Sequence, residues 1–279
     1  MTDDKAATLA LPAPAALRPS ALPKRGKFKM GQADALSTAA VVIVLLGAMQ
    51  IASNFVPDYI MPPPATVLRA TWDIVTADEL HVLITLVRLF ASVAFSMLLG
   101  IVIGGAMGMF GTIRPALRAV IVIDTGIPAL SWMLLAVFWF RDPETRIFFI
   151  LTVILVPFFA LSIYDGIRAL PRDLVDVVES FRPSRWQVLR FLVIPHVVPY
   201  VFLTMKSVIG YAIRMVVFAE LVASASGIGS RMSLAQSTFR IDQVFAWTFL
   251  LVLLNIGLQT GVSMCERIAL KWRPEVEVR

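Results

Sequence analysis

The stretch Asp165–Arg190 reads DGIRALPRDLVDVVESFRPSRWQVLR and runs into Phe191-Leu-Val-Ile-Pro195. It is a polar, Arg-rich island, with apolar runs long enough to cross a bilayer on both sides. A connection between two spans needs only a few residues, and this one has the pattern of two short helices. Leu174, Val177, Val178 and Phe181 recur at helical spacing and form an apolar stripe. Arg172, Asp173, Asp176, Glu179 and Arg182 take the other faces. Pro171 suits a first turn, and Asp173 and Asp176 suit the positive end of a helix dipole. Pro183 disfavours helix at Arg182, so the chain should turn there. A second short helix should start at Pro183 or Ser184 and run through Trp186 and Leu189 towards Pro195. The expectation is a two-helix elbow over about residues 171–190, lying at a membrane surface.

The composition agrees with a membrane setting. Of the 279 residues, 58% are hydrophobic and only 16% charged, and the mean hydropathy is +0.80. A soluble domain carries about a quarter charged residues, so lipid must solvate much of this chain. The net charge of +6 does not imply nucleic-acid binding, because the Lys and Arg residues sit between apolar runs, where they set orientation. Cys265 is the single cysteine, which excludes an intrachain disulfide and a cysteine metal cluster.

Six spans are expected, near Leu36–Phe55, Leu83–Phe110, Ala116–Phe140, Ile147–Ile167, Phe191–Val222 and Val244–Ile268. Residues 1–32 read as a disordered basic tail, 33–274 as the membrane domain and 275–279 as a C-terminal tail. With the N-terminus in the cytosol, most of the 25 Lys and Arg residues fall inside. These include the tail, Arg114, Arg118, the island arginines and the C-terminal Arg267, Lys271, Arg273 and Arg279. The positive-inside bias therefore places both termini and the island in the cytosol. Gly100, Gly104 and Gly108, one per helical turn, fit close helix packing in lipid, or a hinge. Outside, Pro62-Pro63-Pro64 precedes an amphipathic stretch, Thr66–Ile74, expected along the outer interface.

The chain carries no phosphate-cradling G-x-x-x-x-G-K-[ST], no His-Glu-x-x-His, no cysteine pair and no paired carboxylates within one span. It offers no metal site, no bound cofactor and no catalytic set of its own. Lys206, Arg214 and Glu220 fall within the fifth span, where a charge should face a cavity or a partner. Lys206 and Arg214, about two turns apart, roughly share a face. Two such cations suit an anionic solute, and ion pairing or snorkelling also fits them. Trp132, Phe138 and Trp139 line a pathway or fill an aromatic core.

The island resembles the cytoplasmic loop of permease subunits of binding-protein-dependent ABC importers. That loop carries Glu-Ala-Ala, a Gly four residues after the last Ala, and a Leu-Pro-type pair about a dozen residues on. Here Asp176-Val177-Val178 stands for Glu-Ala-Ala, Arg182 for the Gly, and Ile194-Pro195 for the final pair. Ser184-Arg185-Trp186 matches a variant of the segment between them. The resemblance extends through Pro199, Ala219-Glu220 and Ser226-Gly227-Ile228-Gly229, and back to Pro62–Val67 and Leu86-Val87-Arg88. It covers roughly Asp58–Pro274 and is greatest to the subgroup that handles nitrate, taurine and alkanesulfonates. Val177 and Val178 are bulkier than alanine, and Arg182 departs from glycine at the turn.

The resemblance implies a type I ABC importer permease fold, all helical, in a bacterial cytoplasmic membrane. It implies a second permease copy, two ATPase subunits that supply ATP and Mg, and an extracytoplasmic solute-binding protein. Asp173, Leu174, Asp176, Val177, Val178, Phe181, Arg182, Ser184, Arg185 and Trp186 would then form a coupling helix in an ATPase groove. Trp132, Lys206, Arg214 and Glu220 are the candidate pathway residues. A secondary transporter or channel working without an ATPase is the alternative, although such proteins often show internal repeats and none is evident.

Overall fold

Gly100, Gly104 and Gly108 decide how the two longest-packed helices meet. The computed structural model describes residues 30–271, and these form α1 (Met30–Ser53), α2 (Pro64–Ala77), α3 (Glu79–Met109), α4 (Arg114–Gly126), α5 (Ala129–Trp139), α6 (Pro143–Arg168), α7 (Arg172–Ser180), α8 (Arg185–Val188), α9 (Ile194–Ala223), α10 (Ile228–Ser237) and α11 (Ile241–Ala269). The glycine face of α3 lies directly on α6. A Cβ at Gly100 would strike Phe159, one at Gly104 the Ala160 carbonyl, and one at Gly108 the Ile167 side chain. In lipid, helix association depends on such close approach, so the glycine stripe is the packing surface.

The chain divides into two units, residues 1–47 and 48–279. In the first, the described side chains of α1 are exposed. The second is a bundle in which α6 is central. It packs on α3 and α9, and α9 packs in turn on α10 and α11. Phe159, Leu151, Leu155, Ile209, Val216 and Trp247 are among the side chains that fill its core. Helix α2 covers the amphipathic stretch. Its Val67, Thr71 and Ile74 are buried, while Trp72 on the opposite face is exposed. Asp142 starts α6 by accepting from the Thr145 backbone N–H at 2.8 Å and its hydroxyl at 2.9 Å. The Thr145 bonds hold the Asp142 carboxyl below its ordinary value.

Three expectations are corrected. Among the described residues four helices are long and apolar enough to span: Glu79–Met109, Pro143–Arg168, Trp186–Ala223 and Ile241–Ala269. The third expected span, Ala116–Phe140, is broken. α4 and α5 meet at 94°, because Gly126 ends one helix and Pro128 keeps Ile127 extended at ψ 125. Counted as one, the pair makes a fifth span, and the apolar part of α1, Ala39–Ser53, is shorter than spanning length. The second elbow helix is not separate from the fifth span. α8 passes through a π-turn, Leu189–Val193, straight into α9. Pro195 has no N–H for the Phe191 carbonyl, and the helix widens there, with Ile194 N–H donating to Leu189. The expected tails fall on residues outside the described ones, except that α1 already begins at Met30.

Candidate functional site

The expected site residues fall in three places: the elbow, α9 with Lys206, Arg214 and Glu220, and α5 with Trp132. In the elbow, α7 covers Arg172–Ser180 and the turn falls at Arg182. Its φ of 50° puts a non-glycine residue in the left-handed region. The chain thus keeps the backbone turn that glycine would make, with arginine in its place. Beyond it, Ser184 and Gln187 form a capping box. The Ser184 N–H donates to Gln187 Oε1 at 2.7 Å, and the Gln187 N–H donates to Ser184 Oγ at 3.3 Å.

The elbow exposes its apolar residues. Phe181 is 81% exposed, Trp186 64%, Val177 57% and Leu174 49%, and Val178 is half-buried. Asp173, Asp176 and Ser184 are also exposed, and the Arg185 side chain lies outside the described residues. The result is an exposed apolar row on a short charged helix. α8 runs through the π-turn into α9 without a break, whereas α7 is joined to α8 by the non-helical residues 181–184.

The pathway candidates separate. Lys206 is ion-paired with Glu266 of α11, which ties α9 to α11. Trp132 lies in an aromatic cluster, 6.5 Å from Trp139 and 6.1 Å from Phe149 between ring centroids; Phe138 is exposed. Arg214 is exposed and donates from Nε to the Gly210 carbonyl at 3.1 Å. It has no carboxylate partner among the described residues. It lies nine residues before the end of α9, about 13 Å along the axis. A charge there costs about 2.5–3.5 kcal/mol if it faces lipid. It lines a groove of about 610 Å³ between α9 and α11, with Ser207, Gly210, Thr248, Asn255 and Gln259.

Glu220 does not line that groove. It is fully buried and accepts from Arg88 Nη1 at 2.8 Å, from the Thr85 hydroxyl at 2.8 and 2.9 Å, and from the Gly229 N–H at 3.0 Å. Arg88 is buried in α3. It donates to Glu220, to Glu144 of α6 and to the Ser226 carbonyl at 2.8 Å. The Ser226-Gly227-Ile228-Gly229 segment is the cradle of this cluster. Gly227 has φ 102° and receives no side chain because a Cβ would strike the Glu220 carboxylate. His81 accepts from the Gly227 N–H at 3.1 Å. No pairing of Arg88, Glu144 and Glu220 is legible in the sequence alone. The signal was there: three charges near the ends of three spans, each needing a partner at membrane depth. Asn255 and Gln259, an i, i+4 amide pair in an apolar helix, were likewise passed over.

Residues 96–266 match the family model described as binding-protein-dependent transport system inner membrane component. The chain is 25% identical to the taurine transport system permease protein TauC of Escherichia coli (strain K12), over 90% of this chain and 94% of that protein. It is 26% identical to the nitrate import permease protein NrtB of Synechococcus elongatus, covering 80% and 82% respectively. Among solved structures, an inward-facing MetNI methionine ABC transporter matches with a TM-score of 0.59 and 16% identity, over 74% of this chain and 96% of that one. The fold is that of type I ABC importer permeases. A family match over more than half the chain, carried by the same helices that build the elbow and the Glu220 cradle, makes this protein a member of the inner membrane components of binding-protein-dependent transport systems.

Proposed function

We propose that this chain is the translocating subunit of an ABC importer that moves a small anionic solute, of the nitrate, taurine or alkanesulfonate kind, into the cytosol. It performs no catalysis. A solute-binding protein delivers from the periplasmic or extracellular side, and two separate ATPase subunits supply the energy of ATP and Mg. Two copies of the chain form the pathway, with both termini in the cytosol. Closure of the ATPases brings the two elbows together and opens the pathway outward; hydrolysis restores the inward-facing state.

The observation that carries this reading is the elbow: an exposed apolar row, Leu174, Val177, Phe181 and Trp186, at the foot of the long helix Trp186–Ala223. A rigid helix transmits rigid-body motion, which a loop does not. The family supports the binding protein and the inner membrane. The names of TauC and NrtB support the solute class.

The test is co-expression with a candidate ATPase and solute-binding protein taken from the neighbouring genes. The tagged permease should retain the ATPase on purification, and Asp176→Arg or deletion of 174–186 should release it and abolish ATP-dependent uptake. Uptake that continues in the deletion variant, or needs no ATPase, would favour a secondary transporter or channel instead.

A further inference from the structure

Neither the elbow nor the Glu220 cluster explains the groove between α9 and α11. We propose that it is an anion-binding station on the pathway, built for a singly charged oxyanion group such as nitrate or a sulfonate, with Arg214 as its one counter-charge. This rests on the permease reading and deepens it.

Arg214 lines the groove, and the one hydrogen bond its side chain makes among the described residues comes from Nε. Its forked terminal N–H groups match the oxygens of a planar or trigonal oxyanion. Lys206, about two turns away, is neutralised by Glu266, so Arg214 supplies the single positive charge among the described groove residues. A monoanion balances that charge. A dianion such as sulfate leaves one negative charge uncompensated at membrane depth, which is costly.

The remaining contacts are neutral. Asn255 is the midpoint of α11, and the Gln259 amide nitrogen donates to its Oδ1 at 3.1 Å. With that oxygen engaged, the Asn255 amide nitrogen is the donor left for a solute. Thr248 and Ser207 stand on the same walls with their hydroxyls donating to the Val244 and Leu203 carbonyls at 2.8 and 3.2 Å, so they add polar surface and no further donor. Gly210 keeps the space open: a Cβ there would lie 3.1 Å from both Asn255 Oδ1 and Gln259 Nε2. The volume, about 610 Å³, lies within the usual 300–1,000 Å³ of small-molecule sites.

The test uses thiol-reactive probes on the full chain in membrane vesicles. The native Cys265 is replaced by serine, and Ser207→Cys or Thr248→Cys is introduced. Each is labelled with the anionic sulfonatoethyl or the cationic trimethylammonioethyl methanethiosulfonate, and rates are normalised to 2-mercaptoethanol. The anionic probe should react faster, on the order of tenfold. Arg214→Gln should abolish the preference, and Arg214→Lys should retain it. Nitrate or methanesulfonate should slow the labelling, and sulfate at equal ionic strength should not. Equal rates in the starting protein, a preference that survives Arg214→Gln, or no labelling at either cysteine would overturn the site. Protection by sulfate equal to that by nitrate would overturn the single-charge selectivity. Failure of the permease reading shows separately, as loss of ATPase co-purification with the charge preference intact.

Discussion

Arg88 of α3 and Glu220 of α9 stand 132 positions apart in the chain and meet at 2.8 Å with both side chains buried. Around them the Thr85 hydroxyl, the Gly229 N–H and the Ser226 carbonyl complete the hydrogen bonding. Glu144 closes the far side of the guanidinium from α6. One ion pair thus locks the ends of α3, α6 and α9 to the start of α10.

Removing Arg88 strands the buried Glu220 carboxylate, and removing Glu220 leaves Arg88 paired only with the exposed Glu144 among the described residues. Arg88→Met or Glu220→Leu should each destabilise the protein by about 3–5 kcal/mol. The double variant should cost clearly less than the sum, because no lone charge remains. Glu144 is different: its side chain is 60% exposed, and Glu144→Gln should cost no more than about 1 kcal/mol. Thermal unfolding of the detergent-purified protein measures all four. Equal losses for Glu144→Gln and Glu220→Leu would contradict the assignment.

Gly104 and Gly105 are neighbours in α3 with opposite surroundings. A Cβ at Gly104 meets the Ala160 carbonyl and Ile163, whereas one at Gly105 meets nothing within 4 Å. Gly104→Ala should destabilise by about 1–3 kcal/mol through overpacking. Gly105→Ala should be neutral or stabilising by up to about 1 kcal/mol, as alanine favours helix. The comparison is again by thermal unfolding, and similar losses for the two would refute α3–α6 contact along this face.

Arg182 sits in left-handed backbone at φ 50°, which costs a non-glycine residue about 1–2 kcal/mol. Arg182→Gly removes that strain but adds unfolded-state freedom, so stability should change by no more than about 1 kcal/mol, and ATPase binding should persist. Arg182→Val, β-branched and ill suited to positive φ, should weaken ATPase retention on purification. Retention unchanged by valine would mean that the turn does not shape the elbow.

The elbow was legible because its information is local: a helical stripe, a proline and a turn all lie within residues 171–190. The glycine face of α3 was legible for the same reason, since its period is that of one helix. The break at Gly126-Ile127-Pro128 was written in the sequence too, but the apolar run around it concealed it. What local pattern does not carry is partnership. Glu220 and Lys206 read as pathway candidates with ion pairing as the open alternative, because nothing near them in sequence announces Arg88 or Glu266 on other helices. The Ser-Gly-Ile-Gly segment was recognised as a motif, but its role as the wall around Glu220 depends on the fold.

Gly210 gives the most direct control over the α9–α11 groove. Its missing side chain leaves room beside Asn255 and Gln259, with a new Cβ placed 3.1 Å from each amide. That is tight enough to shift the pair by a few tenths of an ångström without unfolding the helix. Gly210→Ala should therefore lower solute uptake severalfold while ATPase co-purification stays intact. Gly210→Leu fills the space between the amides and Arg214 and should abolish uptake in proteoliposomes containing the binding protein. Both variants raise helix propensity at this position, so reduced uptake with full assembly isolates the groove from folding. Normal transport by Gly210→Leu would place the solute's route elsewhere in the assembly.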